Sequence, residues 1–364
     1  MTETEACIIL NMVAHVGPIR FARLKQHFGS AVAILKATGE TLRRVEGIGM
    51  EVAESIKTWE KQVDLAAEVA RVEAFGATVL TMQDQAYPAL LRDIEDPPIA
   101  LYCWGCLEER DQHYGIGIVG TRDASHYAME ATKKLGYQLA YAGLTVYSGL
   151  ARGIDTVAHQ AALAAHGRTV AVLGSGLEHL YPLENIPLAE KIISSGAVIT
   201  EFPMGTKPSK QTFPKRNRII SGCSFGVLVV EAGIRSGALI SAHQALEQGR
   251  SVYSVPGRID QPNTFGSNKL IQQGAKLVME AADILSDFPI LFSHQPKLDQ
   301  SKPTVPLQGE EFIIYEAIGE DPTPIDQIIT TSSLPAAIVS SRLLALELSG
   351  HVRPMPGSRF VKTL

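Results

Sequence analysis

Short apolar runs recur through the middle of the chain with helical segments between them, and this alternation limits the folds open to it. Strands are expected near 116–119, 144–148, 169–173, 196–200, 226–231 and 251–255. Strands alternating with helices form a parallel, doubly wound α/β sheet with helices on both faces. Gly226-Val227-Leu228-Val229-Val230-Glu231 shows the reason: its consecutive apolar residues suit a strand buried on both sides. Several runs end in glycine-bearing turns, namely Val119-Gly120-Thr121-Arg122, Ser148-Gly149-Leu150-Ala151-Arg152-Gly153, Leu173-Gly174-Ser175-Gly176 and Val255-Pro256-Gly257. Ligands bind at the carboxyl ends of strands in such sheets, so these turns can converge on one crevice.

A segment close to that crevice departs from the charge of the whole. The formal net charge is −5, yet residues 202–230 carry Lys207, Lys210, Lys215, Arg216 and Arg218 and no Asp or Glu. Cations beside core strands point to a pocket for phosphates. The competing reading is a solvated basic loop.

At 364 residues the chain exceeds what one core usually serves. Residues 1–62 read as a small helical domain with an internal repeat: Val16-Gly17 is followed seven residues after the glycine by Leu24, and Ile48-Gly49 at the same interval by Ile56. That spacing suits paired helix-hairpin-helix motifs, in which backbone N–H groups approach a DNA phosphate. The first copy has His15 where Gly47 stands in the second, and Glu46 and Glu51 flank the better hairpin, so a domain that only packs on its neighbour is an equal reading. Residues 63–288 are the α/β region, 289–305 a linker rich in Pro, Gln, Ser and Lys, and 306–364 three helices and a β-wing in winged-helix order. The last segment has four Lys/Arg against seven Asp/Glu, a balance of −3, with Arg342 alone basic in the third helix. Its charge argues for packing or protein contact rather than DNA binding. The N-terminus lacks a basic, then apolar, leader and no apolar run reaches membrane-spanning length, so a cytoplasmic location and no membrane partner are expected.

The familiar catalytic strings are missing or misplaced. Gly115-Ile116-Gly117-Ile118-Val119-Gly120 spells a dinucleotide fingerprint, but its first glycines lie within or before the strand. There is no phosphate-binding G-x-x-x-x-G-K-[ST] loop and no H-E-x-x-H zinc helix. Ser224 sits in a G-x-S-x-G string that leads into a strand, whereas a nucleophile elbow leads out of one. Asp155 and His159, four apart on a helix, could share a ligand or serve the fold separately. Cys103 and Cys106 have the spacing of a half zinc site, but no second pair exists and the residues before them read as a strand. The expectation is no catalytic residue, no metal and no cofactor.

Gly120-Thr121-Arg122, the 148–155 turn, Leu173-Gly174-Ser175-Gly176 with Tyr181-Pro182, Glu201-Phe202-Pro203, Phe213-Pro214-Lys215-Arg216-Asn217-Arg218-Ile219-Ile220-Ser221-Gly222, Glu231-Ala232 and Val255-Pro256-Gly257 resemble, in order and spacing, the motif series of the DNA-processing protein A (DprA/Smf) family. The resemblance implies an extended Rossmann-like fold that binds single-stranded DNA, forms a homodimer and helps load the RecA recombinase during natural transformation, without catalysis. Thr121 stands where the family often has Ser, and the cysteine pair has no family counterpart.

On that reading Arg122 and Lys215 neutralise phosphates, and Arg216 and Arg218 extend the charged floor or brace it. The amides of Gly120, Gly149 and Gly153 donate to phosphate oxygens, and Phe213 offers a stacking face. Thr121, Ser148, Arg152, Asn217 and Ser221 complete the candidate set, with Asn217 and Arg218 also suited to tying neighbouring loops. The alternative is a nucleotide phosphoribohydrolase on a related sheet, using Glu201 or Glu231 as the acid, although Ser241 and Ala242 stand where its carboxylate would be sought. A pure scaffold would leave the basic cluster unexplained.

Overall fold

The computed structural model describes residues 1–288, 309–319, 323–348, 351–355 and 359–362. The expected linker, 289–305, lies outside the described residues. Residues 1–291 and 292–364 form two compact units.

In the first unit nine strands make one sheet: β1 (Ala77–Leu80), β2 (Leu101–Gly105), β3 (Gly115–Val119), β4 (Thr145–Ser148), β5 (Thr169–Val172), β6 (Ala197–Thr200), β7 (Gly226–Val229), β8 (Ser251–Ser254) and β9 (Lys276–Leu277), in the spatial order 1-2-6-5-4-3-7-8-9. From β6 across to β9 every pairing is parallel. The other edge departs from the all-parallel expectation, because β2 runs antiparallel to β6 and β1 antiparallel to β2. Both strands precede the first strand–helix–strand unit, so no crossover helix forces them to run parallel.

The chain moves outward from β3 through β4 and β5 to β6, then returns to place β7 against the free side of β3. The order reverses between β3 and β7, and the loops leaving these two strands diverge. A crevice opens there. Burial on both faces explains why the strands read as apolar runs. Ile116 and Ile118 of β3 join Leu139, Val146, Ala158 and Leu228 on one face, while Val119 joins Tyr147, Val172, Ile220 and Val227 on the other.

Six helices, Glu3–Met12, Pro18–Phe28, Ala31–Lys36, Gly39–Arg43, Met50–Lys57 and Leu65–Phe75, precede the sheet. Gly17 and Gly49 are the N-caps of the second and fifth, and the paired Leu24 and Ile56 are both fully buried. His15 adopts the left-handed conformation that Gly47 adopts in the other hairpin, with φ of 65° and 80°. The acidic flanks are engaged inside the pair: His15 Nε2 lies 3.2 Å from Glu51, and Arg23 Nη1 3.8 Å from Glu46.

In the second unit the helices Glu310–Ala317, Ile325–Ser332 and Ala336–Leu348 accompany β10 (Thr323–Pro324), β11 (Val352–Met355) and β12 (Arg359–Lys362), with β12 central and antiparallel to both neighbours. Arg342 pairs with Glu310 at 3.1 Å and Glu311 at 3.9 Å, so the third helix's one cation already has carboxylates beside it.

Candidate nucleic-acid interface

A cavity of about 580 Å³ occupies the switch point. The loop after β3, the loop after β4, the helix Thr212–Gly222 and the first turn of the helix Gly237–Glu247 surround it. Four cations, Arg122, Lys210, Arg216 and Arg235, line it against a single carboxylate, Asp155. Arg122, Lys210 and Arg235 are exposed and make no ion pair among the described residues.

Arg216 is the floor. The residue is 4 % exposed, its Nη1 stands 3.8 Å from Asp155, and its Nε has no acceptor among the described residues. Burial lowers its affinity for a proton, offset by Asp155. A buried guanidinium with one distant counter-charge and unfilled donors is poised to take an anion. Gly149 makes room for it, since a Cβ there would sit 1.3 Å from Arg216 Nη1.

Asp155 opens the helix Ile154–Ala164, where its Oδ2 accepts from the amides of Gly149 at 3.1 Å and Ala151 at 3.4 Å. Burial raises its proton affinity, and Arg216 with the two amides opposes this. The Gly149 amide is therefore committed to Asp155, which corrects the expectation that it donates to phosphate. Gly153 has φ of 74°, and a Cβ on it would meet the Thr121 carbonyl at 2.4 Å, so only glycine lets the two loops approach this closely. Thr121 is held by its amide on the Glu231 carbonyl at 2.8 Å, which aligns Gly120 and Arg122 at the rim.

Phe213 and Arg122 form the partition between this cavity and a smaller one of about 220 Å³, which Gly149, Arg152, Tyr181 and Pro182 also line. The Arg122 guanidinium lies 5.1 Å from the Phe213 ring centroid, and Tyr181 stands 6.2 Å from Phe213 at an interplanar angle of 52°. Arg152 is at the exposed rim in a two-pronged pair with Glu184, at 2.8 and 2.7 Å.

Other members of the expected set lie elsewhere, for one main reason. The basic run is a helix, and a helix turns about 100° per residue. Phe213, Arg216 and Asn217 share the crevice face, with Asn217 Nδ2 donating to the Gly237 carbonyl at 3.4 Å. Lys215 and Arg218 project from the far side. Lys215 is exposed and does not line the cavity. Arg218 is buried and braces the fold, bonded to Glu201 and to the Asp96 carboxylate at 3.2 Å and carbonyl at 2.6 Å. Ser148 and Ser221 are fully buried and donate to the carbonyls of Ile118 at 2.6 Å and Arg218 at 3.2 Å, so neither reaches a ligand. Lys210, Arg235 and Tyr181 belong to the site although the sequence reading left them out. Of these, Lys210 was visible in the acid-free run and Tyr181 in the Tyr181-Pro182 motif.

The residues weighed for catalysis are committed to the fold. Ser224 is buried and donates to the Ile220 carbonyl at 2.8 Å. His159 Nδ1 lies 2.7 Å from Thr169 Oγ1, and burial with the nearby Arg216 charge pushes its pKa down to about 3, so it is neutral at physiological pH. Glu201 is held by Arg218, and Glu231 accepts from the Ser125 amide at 2.8 Å. Cys103 is buried in β2, its thiol pushed up to about 12 by desolvation, while Cys106 is exposed.

Residues 78–289 match the profile of the DNA recombination-mediator protein A family, 299–358 that of the DprA winged helix domain, and 12–67 that of the helix-hairpin-helix motif. Protein Smf of Synechocystis sp. is 35% identical over 96% of this chain and 96% of its own length. The crystal structure of DNA processing protein A from Streptococcus pneumoniae superposes with a TM-score of 0.68 at 31% identity, covering 79% of this chain and 98% of that one. The DNA processing protein A from Helicobacter pylori, described for its single-stranded DNA binding mode, gives 0.53 at 26% identity over 59% of this chain and 96% of that one.

Proposed function

Since the chain belongs to the DNA recombination-mediator protein A family, known as DprA or Smf, we propose that it binds single-stranded DNA in the switch-point crevice, as a homodimer, and hands the strand to the RecA recombinase. One observation carries the DNA part: four cations, three of them without a carboxylate partner among the described residues, converge on one cavity beside Phe213 and Tyr181.

Arg122, Lys210 and Arg235 meet phosphates at the rim, and Arg216 receives one at the floor, where low dielectric strengthens the contact. A base stacks on the exposed Tyr181 ring beside Phe213, an interaction that every base offers, so little sequence preference follows. A crevice of this size admits a flexible strand and not a duplex. Dimerisation is supported by the edge of β9, unpaired among the described residues, where Leu277 and, just beyond the strand, Met279 are 41% and 75% exposed. The recombinase role rests on the family.

Titrating labelled single-stranded and duplex oligonucleotides at two salt concentrations tests the DNA part. Single strands should bind far more tightly, with affinity falling steeply as salt rises. Equal affinity for both forms, or a flat salt response, refutes it.

A further inference from the structure

The helix His126–Tyr141 turns one face to the core through Ala128, Leu135 and Leu139. Its other face carries Tyr127, Glu130, Lys134, Tyr137 and Tyr141, spaced three and four apart and so forming one stripe. These tyrosines are 56%, 42% and 70% exposed. Tyr137 and Tyr141 stack on each other, with ring centroids 6.1 Å apart and planes within 7° of parallel. Lys133 and Lys134 beside them are exposed and make no ion pair among the described residues, and Glu130 is the one acid on the stripe.

We propose that this stripe is a second track for single-stranded nucleic acid, taking bases on the Tyr137–Tyr141 platform and phosphates on Lys133 and Lys134 as the strand leaves the crevice. The inference rests on the crevice reading above. Two observations favour a nucleic acid strand over a protein as the occupant. The first is charge: two lysines against one glutamate beside flat aromatic faces is the combination that binds single strands without regard to sequence. The second is continuity. The helix starts directly after the loop that carries Arg122, and its cap residue Ser125 is tied to Glu231, whose carbonyl also holds the crevice residue Thr121, so its first turn lies beside the crevice, on a neighbouring cavity lined by Ser125, Tyr127 and Pro256. Tyr127 lines that neighbouring cavity, donating to the Pro256 carbonyl at 3.1 Å. At about 1.5 Å per residue, Tyr137 and Tyr141 lie roughly 15 and 21 Å further along the helix axis. A strand must therefore extend several nucleotides past the crevice to reach them.

Length dependence tests the proposal in the full-length protein. Labelled thymidine oligomers of about 6 and about 25 nucleotides are titrated against wild type, Tyr137→Ala/Tyr141→Ala and Tyr137→Phe/Tyr141→Phe, with thermal melts to verify folding. The alanine pair should bind the long oligomer about tenfold more weakly and the short one as wild type does, while the phenylalanine pair retains wild-type binding of both. Unchanged binding of the long oligomer by the folded alanine pair overturns the track and leaves the tyrosines to a protein partner. Equal weakening for both lengths also overturns it, because the helix would then be acting through the crevice. If wild type binds neither oligomer, the crevice reading falls and the track with it.

Discussion

Arg122→Ala and Lys215→Ala separate the crevice from the basic run as a whole. Arg122 sits at the rim with its guanidinium over Phe213, and no carboxylate among the described residues competes for it. Removing it deletes one charge-assisted phosphate contact, worth about 1.5–3 kcal/mol, or roughly 10- to 150-fold in Kd. Lys215 lies only two residues after Phe213 but points about 200° away around the helix, against about 60° for Arg216 and 40° for Asn217. It can act only through the general field, so its loss should cost less than about threefold, and the double variant should match Arg122→Ala alone. Lys210→Ala should resemble Arg122→Ala. The assay is fluorescence anisotropy of a labelled single-stranded oligonucleotide across a salt series, with circular dichroism melts as the folding control. The slope of log affinity against log salt should shrink by about one for Arg122→Ala and stay put for Lys215→Ala. A folded Lys215→Ala variant as impaired as Arg122→Ala would show that the strand crosses the outer flank of the helix Thr212–Gly222, and the crevice assignment would be wrong.

Arg218→Ala should act on stability rather than binding: it strands the buried Glu201, at a cost of about 3–5 kcal/mol in chemical denaturation. Burial already holds the Glu201 carboxyl above its ordinary range with Arg218 as the main counterweight, so the variant should lose further stability as pH rises from the normal carboxylate range through the raised value. His159 has the opposite sign of pH dependence: its folded pKa near 3 lies below the unfolded value of 6.5, so its contribution is complete above pH 6.5 and is lost on acidification toward pH 3. His159→Gln should flatten that part of the stability profile, and an unchanged slope would refute the assignment. Deleting residues 306–364 should leave single-strand affinity within about threefold, given their net negative charge and the pairing of Arg342 with Glu310; a tenfold loss, about 1.4 kcal/mol, would show that the winged helix binds DNA.

The central strands were legible because burial on both faces leaves each a run of apolar residues, and the crevice because strand order reverses where two glycine turns end their strands. β1 was harder to see. It has four residues, only partly buried, and its direction depends on how the chain enters the sheet rather than on its composition. The hairpin pair was visible through Leu24 and Ile56, which take the same core position in each copy. Within the site, Arg122, Phe213 and Asn217 can be chosen from their motifs, and Arg218 is legible as the brace it is; Ser148 and Ser221 read as polar candidates although both are buried, and the charge of Lys215 does not reveal the helix phase that turns it from the cavity. A hydroxyl at the end of a buried strand or helix donates to the nearest carbonyl. In a helical basic run, phase rather than charge decides which cations face the ligand.

A chain of net charge −5 can offer a polyanion a favourable site because its cations are not spent evenly. Arg168 is used on Asp111 and Glu108, Arg218 on Glu201 and Asp96, Arg152 on Glu184, and Arg342 on Glu310. Arg122, Lys210 and Arg235 keep their charge unpaired among the described residues, and all three line one cavity. At physiological salt a charge is felt over about 8 Å, so the acidic surplus elsewhere is largely screened from a phosphate at the crevice. The wider field still repels the strand as it approaches. Raising salt therefore weakens that repulsion while it weakens the crevice contacts far more, and the net response remains a loss of affinity whose slope counts the cations in the crevice rather than the lysines and arginines of the whole chain.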